Sequence, residues 1–223
     1  MSERPTDQPS GTSPLLAGLL DGVTRYYTAR FEAHGATPQG VDWNSGESQR
    51  KRFDQCARLW EGRTRFSLND FGCGYGALLD YLVERKLDVD YLGVDVSEAM
   101  IEEANARMAG RRNCSFVRSS IPPRVADFTV ASGLFNVKLD AVATAWLDYM
   151  LAMLGEMDRT SASGFGFNCL TKYSDPERMR RDLYYADPAF LFDYCKTRFA
   201  RNVALLHDYD LYEFTILVRK TPR

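Results

Sequence analysis

The sequence of 223 residues, 45% hydrophobic and 26% charged, is long enough to bury one sizeable core and too apolar for a disordered chain. Its 28 Lys and Arg against 30 Asp and Glu leave a formal charge of −2, so no basic field is present to draw a nucleic acid, and none is expected as a partner. The five cysteines lie far apart without CxxC spacing, which argues against a disulfide framework or a metal site.

The first 13 residues are polar and rich in Pro, Ser and Thr and read as a disordered tail. The "LLAGLL" that follows is too short and too late for a signal peptide or a membrane span, so a cytoplasmic protein with no membrane partner is expected. From Pro14 to about His34 apolar residues recur at helical spacing, with Gly35 as the stop. A loop runs through "GATPQGVDWNSGESQ", and "RKRFDQCARLWEG" returns to helix as far as Gly62. Residues 14–62 are thus expected as a helical lid on an α/β unit spanning 63–223.

From residue 65 strands and helices alternate. "RFSLNDF", "DYLGVDV", "CSFVRSS", "ADFTVASGLF" and "SGFGFNCL" read as strands, separated by the helical stretches "GALLDYLVERK", "SEAMIEEANARMAG" and "TAWLDYMLAMLGEMDRT". Ser97 is placed to cap the second of these helices. The tail is expected as two helices, "PERMRRDLYY" and "PAFLFDYCKTRF", and two closing strands, "RNVALLHDYD" and "YEFTILVRK". Such alternation implies a mostly parallel sheet with helices on both faces, finished by an antiparallel pair. Basic runs such as "RKR" and "RMRR" read as solvated helix faces.

"LNDFGCGYGALLDYL" carries the chemistry. A strand that runs into Gly72, Gly74 and Gly76 can turn sharply and bring its backbone close to a ligand at the following helix N-terminus. Asp95 stands at the end of the next strand, where an acid receives ribose hydroxyls in either an NAD or an adenosine site. Asp70 lies two residues before the first glycine, where a carboxylate repels a pyrophosphate and faces a cation such as an α-ammonium or a sulfonium.

On "LNDFGCGYG" and "YLGVDVSEAM" the sequence resembles the class I S-adenosylmethionine (SAM) methyltransferases from about residue 41 onward. The resemblance implies a Rossmann-like fold with a seven-stranded sheet, SAM as cofactor and a small-molecule partner. It also implies that Asp70, Gly72 and Gly74 line the methionyl part of SAM, that Asp95 holds the ribose, and that Val96 and Met100 flank adenine. Ser119 or Ser120 stands where the family often has an acid near the adenine amine.

Neither strand four, ending "ASGLFNVK", nor strand five, followed by "LTKYSD", offers an obvious general base, and His34 and His207 read as surface or packed residues. An apolar, aromatic wall favours discharge of a sulfonium, and Tyr26, Tyr27, Phe135 and Tyr173 are candidates for it. In the lid, Trp43 is expected to pack over the site and Arg50 or Arg52 to meet the SAM carboxylate. "ASGLFNVK" with "FNCLTKYSDPERMRRDLYYADP" is also similar to the branch of this family that includes bacterial SAM cyclases making azetidine-2-carboxylate with release of methylthioadenosine. That resemblance implies Asn136 and Tyr173 as the catalytic pair and cyclisation as the favoured reaction, with small-molecule methyl transfer as the alternative. A silent SAM-binding module and an NAD-dependent oxidoreductase are the remaining readings.

Overall fold

The computed structural model describes residues 14–220, so the tail expected over residues 1–13 lies outside the described residues. Helix α1 (Pro14–His34) is followed by a short 3-10 turn at Pro38–Val41 and by α2 (Gly46–Ala57). Helix α2 begins four residues before the expected Arg50 because Ser45 caps it, its hydroxyl accepting the Ser48 amide at 3.1 Å.

Strands β1 (Arg65–Phe71), β2 (Asp88–Asp95), β3 (Cys114–Arg118), β4 (Ala126–Ala131) and β5 (Ser161–Thr171) pair in parallel. Strands β7 (Asn202–Leu206) and β8 (Glu213–Arg219) close the sheet, giving the order β3-β2-β1-β4-β5-β8-β7 with β8 antiparallel to both its neighbours. Both faces are covered, so the central strands β1, β4 and β5 are buried along most of their length, polar residues such as Asn69, Thr129 and Asn168 included. Helices α2, α3 (Ala77–Glu84) and α4 (Glu98–Arg107) contribute to one core with Leu68, Tyr91 and Phe128, and α1, α5 (Ala143–Arg159) and α6 (Pro188–Arg198) to the other with Phe165, Phe167 and Ile216.

One element differs from expectation. "PERMRRDLYY" is not a helix: after a single 3-10 turn at Pro176–Arg178 the chain makes a further turn at Arg181–Asp182 and ends in an eighth, two-residue strand, β6 (Tyr185–Ala186), on the end of β5. The segment is too charged to offer an apolar helical stripe, and backbone partners hold it instead. The Tyr184 amide donates to the Asn136 carbonyl at 2.8 Å, and Lys138 and Leu139 donate to the Asp182 carbonyl at 3.0 and 2.9 Å.

The order of the sheet positions the site. The chain starts in the middle at β1, winds outward to β3 and returns on the other side of β1 at β4, so a crevice opens between β1 and β4 at their carboxyl ends.

Candidate functional site

A cavity fills that crevice. Its floor is the run from Asp70 to Tyr75 with Ala77 and Leu78, its sides are Val94, Asp95, Val96, Met100 and Ser119 and, opposite, Ser132, Gly133, Leu134 and Tyr149. Leu20, Val23 and Tyr27 of α1, Val41, Trp43, and Gln49 and Phe53 of α2 close it from the N-terminal side.

The glycine turn is pinned from two directions. Gly72 and Cys73 donate to the Val94 carbonyl at 2.9 and 3.0 Å, and Gly74 donates to Asp95 Oδ2 at 2.9 Å. Gly74 has φ +54°, and a Cβ there would lie 3.0 Å from Val41 Cγ1, so a side chain is excluded by conformation and by the close approach of the N-terminal segment. The second oxygen of Asp95 accepts the Ser97 amide at 2.9 Å. Burial raises the Asp95 pKa, and hydrogen bonds from the Ser97, Gly74 and Val96 backbone hold part of that rise back. Ser97 sits at the N-cap of α4 as expected, but its hydroxyl does not cap: it pairs with Thr28 Oγ1 of α1 at 2.9 Å and ties the N-terminal helix to this side of the cavity.

Asp70 is 3% exposed, and Oδ2 accepts the Tyr91 hydroxyl at 2.6 Å. Burial pushes its pKa up to about 7, against a smaller lowering by the Tyr91 hydrogen bond. An acid whose folded pKa lies above its unfolded value contributes stability that is complete below the unfolded value and is lost as pH rises through the folded one. The window here runs from about 4 to about 7, at ~1.4 kcal/mol per pH unit. Melting curves of the ligand-free protein between pH 5 and 8 should therefore show wild type losing stability relative to Asp70→Asn as pH rises. Parallel curves would mean that Asp70 is already ionised at pH 5.

Of the residues expected around the cofactor, Asp70, Gly72, Gly74, Asp95, Val96, Met100 and Ser119 all line this cavity. The Ser119 hydroxyl is engaged locally, donating to the Ile121 carbonyl at 2.6 Å. Phe135 is not on the wall. Gly133, at φ +87°, breaks the strand alternation, so that Ser132, Gly133 and Leu134 face the cavity while Phe135 turns into the core against Phe167, 5.8 Å between ring centroids.

Asn136 and Tyr173 lie beyond the carboxyl ends of β4 and β5, the edge where they were expected, but not in the cavity lining. Asn136 is 6% exposed, and its Oδ1 accepts the Leu170 amide at 3.1 Å. Tyr173 is 63% exposed and lies beside His207, 6.1 Å between centroids. Among the other aromatic candidates Tyr27 reaches the lining, whereas the Tyr26 hydroxyl donates to Asp42 Oδ2 at 2.9 Å outside it. Trp43 is on the wall as expected; Arg50 pairs with Glu84 on the surface, and Arg52 is buried. The sequence reading missed Gln49, Phe53, Tyr149 and Glu213.

The donor set fits a cationic, nucleoside-bearing ligand. Two carboxylates stand at the ends of adjacent strands in otherwise apolar surroundings. Among the described residues Ser132 Oγ on the wall and Arg52 Nη1 behind Trp43 are buried without a hydrogen-bond partner. Each such group costs about 1–3 kcal/mol until something pairs with it. No group of three His, Cys, Asp or Glu that could hold a metal occurs among the described residues, and no described helix is long and apolar enough to cross a membrane.

A doubly wound sheet with a reversed last strand and a glycine turn backed by two strand-end acids defines an α/β methyltransferase fold. The chain belongs to the methyltransferase family: the family described as "Methyltransferase domain" matches residues 69–157. It is 56% identical over 163 residues to the Mycobacterium tuberculosis (strain H37Rv) protein called "Putative methyltransferase Rv1506c", across 73% of this chain and 98% of that one. Among solved structures, the DhpI–SAH complex superposes with a TM-score of 0.64 at 20% identity, covering 93% of this chain and 99% of that chain. Magnesium protoporphyrin IX methyltransferase (ChlM) from Synechocystis PCC 6803 with bound SAH gives 0.65 at 13% identity, covering 92% and 99%. At these identities the two structures share the fold.

Proposed function

We propose that this chain is a SAM-dependent methyltransferase acting on a small-molecule acceptor. One observation carries the reading: Asp70 and Asp95 flank a glycine turn inside an apolar cavity closed by the chain's own N-terminal segment. A relative named as a methyltransferase and fold neighbours bound to SAH support it.

Bound SAM supplies a methyl group on a sulfonium whose positive charge is lost on transfer. The protein's part is to bind, orient and dehydrate. Asp70 faces the cationic methionyl end, Asp95 receives the ribose, and Val96 and Met100 offer apolar surface to adenine. Leu20, Val23, Tyr27 and Trp43 exclude water, which strengthens each of these interactions. The lining holds no histidine or lysine, and its carboxylates are Asp70 and Asp95, so a proton leaving the acceptor near neutrality has Asp70, with its pKa raised by burial, as the nearest side-chain base in the cavity.

A second reading is cyclisation of SAM to azetidine-2-carboxylate with release of methylthioadenosine. It is favoured by Asn136 and Tyr173 standing beyond the carboxyl ends of β4 and β5, on the reacting edge of the sheet. In this reading Asn136 has to exchange its Leu170 partner for the ligand.

Mass spectrometry after incubation with SAM separates the two. Methyl transfer gives S-adenosylhomocysteine only when a metabolite extract is added; cyclisation gives methylthioadenosine from SAM alone.

A further inference from the structure

In the cavity wall and behind it five residues from five different parts of the chain close into a ring. The guanidinium of Arg52 in α2 lies 3.8 Å from the centroid of the Trp43 ring. Its Nε and Nη2 donate to Glu213 at 2.8 and 2.5 Å, both side chains being less than a tenth exposed. Glu213, the first residue of β8, also accepts from Asn168 Nδ2 in β5, and Asn168 Oδ1 accepts the Gly133 amide at 2.9 Å. Gly133 completes the ring, because a Cβ there would lie 2.4 Å from Trp43 Cζ2 and 2.7 Å from Cη2. The indole occupies the place of the missing side chain.

A buried ion pair of this kind is weak evidence for stability as such, since desolvation offsets most of the attraction. Here it has a geometric result. The pair fixes the guanidinium under one face of Trp43 while Asn168 fixes the turn against which the indole edge rests. Trp43 and Gly133 both line the cavity.

We infer that Trp43 is a positioning residue, seated in the slot of Gly133 and held there by the Arg52–Glu213–Asn168 chain, so that the N-terminal segment and the turn after β4 grip the ligand as one unit. The inference rests on the SAM reading only through the probe used to test it.

The test is a double-mutant cycle on the full chain, with S-adenosylhomocysteine affinity by calorimetry and the melting temperature read for wild type, Trp43→Ala, Gly133→Ala and the double variant. The positive φ at Gly133 strains alanine equally in both backgrounds, so the cycle removes that cost. Each single variant should bind about tenfold more weakly, and the double no more than about threefold weaker than the worse single, because both remove the same seating. Unchanged affinity in the singles, or losses that multiply, would overturn it. If Gly133→Ala alone does not fold, folding of the double variant supports the slot; if neither folds, Trp43→Ala against Asn168→Ala and their double, which carry no backbone strain, replace it in the cycle, and losses that multiply refute the seating. If wild type does not bind the probe, the SAM reading falls, and the same cycle in melting temperature decides the seating: non-additive shifts uphold it and additive shifts overturn it.

Discussion

Asp95→Ala is expected to weaken cofactor binding sharply and to lower stability at once. The carboxylate takes the Gly74 amide on one oxygen and the Ser97 amide on the other, each at 2.9 Å, and so connects the glycine turn to the start of α4. Alanine leaves both amides short of a partner, at ~1–3 kcal/mol for each that stays buried. It also removes the acceptor assigned to the ribose, and SAM affinity should fall by about 100-fold or more, ~2.7 kcal/mol. Asp95→Asn keeps one acceptor oxygen and should fall between alanine and wild type in both melting temperature and calorimetric affinity. A variant that melts early yet binds SAM normally would separate the two roles and leave Asp95 only the structural one.

The second large effect is at the buried ion pair. Arg52→Met alone leaves Glu213, 2% exposed, with Asn168 as its remaining hydrogen-bonding side chain, and removing one partner of a buried pair typically costs ~3–5 kcal/mol. The double variant Arg52→Met/Glu213→Gln keeps an acceptor for Asn168 Nδ2 and removes the charge. It should recover most of the loss in urea denaturation. If the double variant is as unstable as the single, the damage comes from lost packing against Trp43 and not from an unpaired charge.

Much of the fold is legible in the sequence because its determinants are local. Strands and helices alternate in the sequence, and the acids and glycines at the strand ends in "LNDFGCGYG" and "YLGVDV" mark the turn that shapes the cavity. Legibility stops where the determinant is long-range. Residues 179–186 offer no apolar helical stripe, and the bonds that hold them out of a helix come from distant parts of the chain: the Asn136 carbonyl, the Lys138 and Leu139 amides and the end of β5. Phe135 follows β4 closely and is aromatic, which makes it a candidate for the wall, but past Gly133, at positive φ, it is Leu134 that faces the cavity and Phe135 that enters the core. Glu213 opens an apolar strand, "EFTILV", and nothing nearby in sequence announces that Arg52, 161 positions earlier, neutralises it. Asn136 and Tyr173 lie on the expected edge because topology fixes the edge, while their side-chain partners come from elements that no linear motif specifies.

Incubating the purified full chain with SAM, with and without a metabolite extract, and following SAM and its products by mass spectrometry tests the central claim most directly. The account predicts enzyme-dependent S-adenosylhomocysteine that appears with the extract and is lost in Asp95→Ala. Methylthioadenosine formed from SAM alone would move the assignment to the cyclase reading. SAM left intact under both conditions, with no rise in melting temperature on its addition, would contradict the account.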